Sequence, residues 1–232
     1  MTKPNRLIKI VDALLAEARP ARAALLEIPA PGRTPVEQAF TGLSLAINKV
    51  IEADHVVQLA DWETRQGKLL DWREHLRAHP IPHPDTVQAE AARGVEIDFS
   101  TALLGTNRWY ETLTELEELS SWAERRHDES SRKLKTIGDA SRTATGVVRR
   151  GDERVKEIAR STTRKLQALD QDDDRSRHRI IAEGQRDVAT VAEVAIRRIN
   201  HETRRVLDSD ENTAAISVEE WLDRHGLDAS GN

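Results

Sequence analysis

The chain reads LKTIGDASRTATGVVRRGDERVKEIARSTTRKLQALDQDDD over residues 134–174, and small or apolar residues return in it at alternating steps of three and four. A period near 3.5 residues places such side chains on one narrow stripe of an α-helix, and that stripe needs a partner helix to cover it. The stretch therefore predicts a long helix that packs against another helix. Its stripe consists of Leu134, Ile137, Ser141, Ala144, Val148, Val155, Ile158, Thr162 and Leu169.

A second stripe follows the acidic run at 170–174. The helical stretches on either side of that run have comparable lengths, roughly 50–60 Å each at about 1.5 Å per residue. The phase of the first stripe does not continue into the second, which indicates that the chain reverses at the polar run. We therefore expect an antiparallel coiled-coil hairpin over 126–207 with its turn at 170–174; a continuous rod in a parallel dimer is the alternative. The second stripe consists of Ile181, Gln185, Val188, Ala192, Ala195, Ile199 and Val206.

Composition also favours an all-α protein with thin layers of helix on helix. Aromatic residues are only 3% of the chain and charged residues are 32%, whereas large aromatic side chains supply much of the burial in thick cores. The chain has no cysteine, which excludes disulfides and sites with cysteine ligands.

Proline and capping signals divide the N-terminal part. We predict a helical bundle over 1–125, with helices at about 5–28, 35–79 and 86–93 and a further helix that starts at 108. The first of these should kink or end at Pro20, which lacks an amide donor. Thr34 and Glu37 form a capping box around Pro35, which suits the first helical position. Prolines at 80, 82 and 84 stop the second helix.

The C-terminal part predicts an acidic linker and a short helix within 208–232. Ser217 and Glu220 form a capping box, and Gly226 is a typical terminator for a helix over 218–225. The apolar face of this helix is expected to dock into a groove of a partner protein; the alternative is that it packs on its own chain. The candidate docking residues are Val218, Trp221, Leu222 and His225.

A basic ridge is predicted on the first arm of the hairpin, next to the apolar stripe. Lys135, Arg142, Arg149 and Lys156 recur every seven residues, with Arg150, Arg160 and Arg164 nearby. A line of cations can follow a phosphate backbone, with affinity that falls steeply as salt rises. Binding of nucleic acid is therefore the alternative function, although the ridge has no interleaved aromatic residue for base stacking.

A metal-dependent helical-bundle enzyme is the second alternative. Two Glu-x-x-His pairs, Glu52 with His55 and Glu124 with His127, have the spacing of ligands in di-iron bundles. However, Glu52 should face away from the apolar stripe of its helix, and arginines flank the second pair. His75 and His79, one helical turn apart, are a weaker candidate metal pair. We expect no metal, no cofactor and no catalytic residues, because no nucleophile–base pattern or phosphate loop is present.

Together these patterns predict a non-catalytic adaptor or scaffold that binds another protein through its coiled-coil arms and its C-terminal helix. No run approaches the roughly 18 apolar residues that span a bilayer, so we expect a cytoplasmic protein without membrane contact. The sequence leaves open a homo-oligomer and the identity of the partner.

Overall fold

The computed structural model describes residues 5–30, 32, 34–94, 99–169 and 173–227. Within these ranges the chain forms α-helices and no strand, so the predicted all-α class is confirmed. The helices are α1 (Arg6–Leu15), α2 (Pro35–Ala78), α3 (Pro84–Ala92), α4 (Phe99–Gln167), α5 (Asp174–Leu207) and α6 (Val218–Arg224).

The chain divides into two compact units. Unit 1 comprises Met1–Arg22 and His55–Ser130, and unit 2 comprises Ala23–Asp54 and Ser131–Asn232. Helices α2 and α4 each contribute one part to either unit. This division differs from the predicted bundle over 1–125, because the first part of α2 packs with the hairpin.

The core of unit 2 forms where the first part of α2 packs against α4 and α5. Alanine lines much of the contact surface on α4, which allows the helix backbones to approach closely. Leucine, isoleucine and valine from α2 and α5 fill the remaining space, so the core needs few aromatic side chains. Its main buried residues are Leu43, Ile47, Val50, Ile137, Ala140, Ala144, Ala195, Ile199, Val206 and Leu207.

Helices α4 and α5 pack as an antiparallel hairpin in unit 2. A Cβ atom on Gly184 would lie 2.7 Å from Oγ1 of Thr162, and a Cβ atom on Gly151 would lie 3.9 Å from Cγ1 of Val191. The contact on α5 therefore moves toward its C-terminus as the contact on α4 moves toward its N-terminus, which is antiparallel pairing. The predicted turn at 170–174 falls partly on residues 170–172, which lie outside the described residues.

The contact stripe on α5 differs in phase from the predicted one. Ile181 is 43% exposed and Gln185 is also exposed, so neither belongs to the seam. Ile180 and Gly184 take those positions instead, because the missing side chain of Gly184 leaves space for Thr162. From Val188 onward the predicted stripe lies on the packed side of the helix.

Unit 1 has its own core, in which α1 covers the second part of α2 and the first part of α4. Helix α1 starts after Asn5, whose side chain accepts the N–H of Leu7 at 3.1 Å. It ends at Leu15, so the predicted extent of 5–28 is too long. The main buried residues are Leu7, Val11, Leu14, Leu69, Leu76, Ile81, Trp109 and Leu116.

The residues after α1 are not helical because a side chain of α2 replaces their helical hydrogen bonds. In unit 2, the backbone N–H of Leu26 donates to Oδ1 of Asn48, and Nδ2 of Asn48 donates to the carbonyl of Leu26, both at 2.9 Å. These two hydrogen bonds hold the non-helical segment around Leu26 against α2.

Two other helix starts also differ from the predictions. Helix α3 begins at Pro84 rather than 86, because Nδ1 of His83 accepts the N–H of Asp85 at 3.1 Å and caps the helix. Helix α4 begins at Phe99 rather than 108. The predicted caps at 34 and 217 are present: Thr34 N–H donates to Glu37 Oε2 at 3.0 Å, and Glu220 N–H donates to Ser217 Oγ at 3.1 Å.

Candidate functional site

The C-terminal helix α6 packs on α2 within unit 2. Val218, Trp221 and Leu222 are buried, with exposed fractions of 8%, 4% and 1%. Trp221 Nε1 donates to the carbonyl of Gly42 at 3.0 Å. This is the alternative arrangement for the helix, because three of its four candidate docking residues pack on the chain itself.

Gly42 is what allows α6 to approach so closely. A Cβ atom at this position would lie only 2.3 Å from Cδ2 of Leu222. Beyond α6, Gly226 has a φ of 65°, and the N–H of Leu227 returns to the carbonyl of Leu222 at 2.9 Å. Leu227 is thereby folded into the same contact and is 3% exposed. His225 stays at the surface, with its ring centroid 4.3 Å from that of Trp221.

The linker before α6 is held to α5 rather than free. The guanidinium of Arg204 donates to the carbonyls of Ala214 and Ile216, both at 2.6 Å. The hydroxyl of Thr213, which is 2% exposed, donates to the carbonyl of Leu207 at 2.7 Å. Partner binding through α6 therefore stays a prediction that requires this segment to leave its position.

The predicted basic ridge lies on the exposed surface of α4. All seven of its side chains are exposed. Arg149 and Arg150 line clefts together with Val148 and Val147, so this part of the ridge lies beside the seam. Arg142 pairs with Asp139 one turn earlier. In the described part of the chain, the structure gives none of the other six a carboxylate partner: Lys135, Arg149, Arg150, Lys156, Arg160 and Arg164.

The Glu-x-x-His pairs lie on helix surfaces. Glu52, Glu124 and His127 are exposed and His55 is half-buried. His75 and His79 stack on each other, with ring centroids 5.1 Å apart. Among the described residues, no three or more metal-ligating side chains come together in a group that could hold an ion.

A groove that the sequence did not predict runs along α2 and α4 in unit 1. We call it the tryptophan groove, because Trp72 and Trp122 line it while remaining partly exposed. It consists of a cavity of about 530 Å³ and a second of about 470 Å³, which share Lys68, Trp72 and Glu115. Its other charged lining residues are Asp61, Arg65, Asp71, Arg108, Glu111, Glu118 and Arg125.

Arg65 fixes one end of the tryptophan groove. It is 3% exposed, and its Nε donates to the carbonyl of Leu119 at 2.7 Å. Its Nη1 pairs with Glu17 at 2.6 Å, and its guanidinium carbon lies 5.9 Å from the ring centroid of Trp122. A buried guanidinium with this many partners holds the Trp122 ring in place. No local pattern around Arg65 indicates its burial, because that burial depends on the distant Glu17.

Three carboxylates line the α4 side of the tryptophan groove. Glu111, Glu115 and Glu118 recur at steps of four and three along the helix. All three are exposed, and the described residues provide no ion-pair partner for any of them. The groove therefore combines two aromatic faces with charges of both signs, since Arg108 and Arg125 line the α4 side together with these three carboxylates.

The chain matches no protein-family model, no curated protein and no solved structure. None of the helices in the described ranges contains a stretch both long and apolar enough to cross a membrane.

Proposed function

We propose that this chain is a non-catalytic helical adaptor or scaffold that acts through protein–protein interaction. The sequence predicts that the interaction surfaces lie on the coiled-coil arms and on the C-terminal helix. Because α6 is engaged with α2, the surfaces that remain for a partner are the tryptophan groove of unit 1 and the coiled-coil arms.

The observation that carries the proposal is the pair of partly exposed tryptophans in the groove. Trp72 and Trp122 are large apolar rings held at a helix surface, and tryptophan is among the residues that most often dominate binding energy at protein interfaces. A groove between two antiparallel helices has the shape that receives a third helix.

The charges of the groove specify the partner helix further. Glu111, Glu115 and Glu118 favour lysine or arginine on the side that faces α4. Lys68, which is exposed and has no carboxylate partner in the described ranges, favours one acidic residue on the other side. Arg108 and Arg125 on α4 and Asp71 on α2 also line the groove. The expected ligand is thus an amphipathic helix with an apolar stripe and flanks of mixed charge, whose basic residues face the three glutamates.

The test is a pull-down of the tagged protein from its native lysate, with and without nuclease, read by mass spectrometry. Charge reversal by Glu115→Lys with Glu118→Lys should remove a partner that survives nuclease. The matched control is Glu117→Lys with Glu124→Lys, which makes the same charge change on exposed positions of α4 outside the groove. Equal loss in both variants, or no loss in either, would contradict the groove as the binding surface.

A second candidate function is binding of nucleic acid through the basic ridge. It is favoured by the six exposed cations that lack a carboxylate partner in the described ranges. The test variant replaces Lys135, Arg149, Lys156 and Arg160 by glutamine, and binding to duplex DNA and RNA is followed by fluorescence anisotropy at several salt concentrations. Four lost phosphate contacts should reduce the slope of log affinity against log salt by up to about 3.6.

The control for this experiment removes the same charge from ion-paired cations. Arg154, Lys165, Arg197 and Arg205 each pair with a glutamate, so their replacement by glutamine should change binding much less. No binding by the wild-type protein at low salt would exclude this function for the ridge.

A further inference from the structure

The hairpin of unit 2 carries an apolar notch of about 490 Å³ between α4 and α5. Val147 and Ala195, two of its lining residues, are buried, whereas Val194 is 62% exposed. Gly151 contributes no side chain, and a Cβ atom at this position would lie 3.9 Å from Cγ1 of Val191. The notch is therefore an apolar surface that the chain itself leaves uncovered.

The charged residues that line this notch are both arginines. Arg150 belongs to α4 and Arg198 to α5, and both side chains are exposed. Within the described residues neither has a carboxylate partner. The acidic residues that neighbour them along the two helices lie outside the lining: Asp152, Glu153, Asp187, Glu193 and Glu202. An apolar floor bordered by two guanidinium groups without partners fits a ligand with apolar groups and carboxylates.

The stretch of hairpin beside the notch lacks a covering helix. Beyond residue 152 the two helices form an arm, and among the described residues from 153 to 192 only Gly184 is buried. The seam residues Val155, Ile158 and Val188 are half-buried. Two helices alone leave such a seam partly in water, and a third helix laid along them removes more of its apolar surface from water.

The shape of the notch suits a helix. Its lining residues span 147–151 on α4 and 190–198 on α5, which is about 12 Å along α5. Two to three turns of a third helix cover that length, and side chains of a helix packed at an axial distance of about 8–10 Å enter gaps such as the one at Gly151. A phosphate backbone would contact the two arginines but would leave the valines uncovered.

We propose that the notch binds an amphipathic helix of a partner protein, with apolar side chains on Val194 and aspartate or glutamate carboxylates at Arg150 and Arg198. The arginines select an acidic helix over a basic one, and the valines select a helix with an apolar stripe. The proposal rests on the adaptor function only in taking the partner to be a protein.

The test uses the purified chain and a fluorescent helical peptide of about four turns, roughly 15 residues. This probe carries leucine at steps of three and four and glutamate on both flanks, and a second probe has glutamine in place of each glutamate. By fluorescence anisotropy, the wild type should bind the glutamate probe at least tenfold more tightly than the glutamine probe. No binding of the glutamate probe, or equal binding of the two probes, would overturn the proposal.

Charge reversal in the notch should abolish this preference. Arg150→Glu with Arg198→Glu should weaken binding of the glutamate probe at least tenfold. Lys135→Glu with Arg142→Glu makes the same charge change on exposed positions of α4 outside the notch and should leave binding unchanged. Equal loss in both variants would show that only the overall charge matters and would overturn the proposal.

The absence of cysteine allows the bound probe to be located directly. Val194→Cys should form a disulfide with a glutamate probe that has one cysteine in its apolar stripe. Glu124→Cys, at an exposed position of unit 1, should not. The groove variant, Glu115→Lys with Glu118→Lys, should still cross-link through Val194→Cys, so failure of the notch and failure of the tryptophan groove are distinguishable. Equal cross-linking at 124 and 194 would contradict the notch as the binding site.

Nucleic acid is the other ligand that two arginines could attract, and Val194 separates the two cases. Val194→Ser removes apolar contact without changing charge, so it should weaken the glutamate probe at least threefold and leave binding of duplex DNA unchanged. If duplex DNA displaces the probe and Val194→Ser has no effect on the probe, the notch binds phosphate and the proposal is overturned.

Discussion

Replacing Gly42 by alanine tests how α6 packs on α2. Alanine in place of glycine inside a helix usually stabilises it by about 1 kcal/mol, because glycine loses more backbone freedom on folding. At position 42 the new methyl group would lie 2.3 Å from Cδ2 of Leu222. Leu222 is 1% exposed and belongs to a cluster with Val218 and Leu227. Its side chain therefore has little room to turn away from the new methyl group, and we expect the clash to displace α6.

The clash outweighs the gain in helix propensity. Overpacking a buried site costs about 1–3 kcal/mol, and movement of α6 also weakens the bond of Trp221 to the Gly42 carbonyl, worth about 1 kcal/mol. The combined cost of about 2–4 kcal/mol exceeds the gain of about 1 kcal/mol, so Gly42→Ala should lower the free energy of unfolding by about 1–3 kcal/mol. In a chain of this length each kcal/mol lowers Tm by about 2–4 °C.

Gly67 is the matched control, since it is an exposed glycine in the same helix with nothing within 4 Å of its added Cβ. Gly67→Ala should therefore raise the free energy of unfolding by about 1 kcal/mol. Urea unfolding followed by circular dichroism gives both values, and hydrogen exchange over residues 213–227 reports whether Gly42→Ala releases α6. If Gly42→Ala raises the free energy of unfolding as much as Gly67→Ala does, and hydrogen exchange in α6 is unchanged, the packing described for Leu222 is refuted.

Other predictions concern the linker and the arm. Arg204→Met should lower the free energy of unfolding by about 2–3 kcal/mol, because the two hydrogen bonds from Arg204 to the carbonyls of Ala214 and Ile216 are lost. Urea unfolding measures the loss, and a value near zero would contradict a role of Arg204 in holding the linker. Gly184→Ala should destabilise the arm through contact with Thr162 at 2.7 Å, whereas Gly105→Ala, with nothing within 4 Å, should stabilise α4; their changes in Tm should have opposite signs. Because the folded pKa of Asp173 is lowered, its cap stabilises α5 fully above the unfolded pKa and loses this effect as the pH falls through the folded pKa. The Ser176 amide shift should follow that titration by NMR, and Asp173→Asn should abolish it while keeping the cap.

The sequence was sufficient to predict those elements that depend on residues close to one another in the chain. The capping box at Thr34 and Glu37 and the terminator at Gly226 involve neighbours in the chain, and the structure contains both. The heptad-like stripe of α4 likewise depends on helical geometry, although its first predicted residue, Leu134, is 43% exposed and does not belong to the seam. These features could be predicted because one side chain and its own backbone decide them.

The elements that differ from the predictions depend on contacts between distant residues. Pro20 predicts a kink or an end in the first helix, but it does not predict that the residues beyond it stay non-helical. They do so where Asn48, which is distant in sequence, binds both backbone groups of Leu26. The seam of α5 changes phase at Gly184, which packs on Thr162 in another helix. Arg65 is charged and yet 3% exposed, because Glu17 and a carbonyl of α4 surround it.

The same reasoning explains why α6 is a poor site for testing partner binding by deletion. A helix of 7 residues is not stable alone in water, because the cost of nucleation exceeds what so few hydrogen bonds return. Its helical form therefore depends on the contact with Gly42 and on the hydrogen bonds from Arg204 to the carbonyls of Ala214 and Ile216. A partner that used α6 would compete with an intramolecular ligand, whose effective concentration through a short linker is in the millimolar range. Removing residues 213–232 would also uncover Leu45, which packs against Val218, Leu222 and Leu227, and would take Trp221 out of the core of unit 2. Loss of a partner in that deletion thus has two explanations, whereas charge reversal on the exposed Glu115 and Glu118 has one.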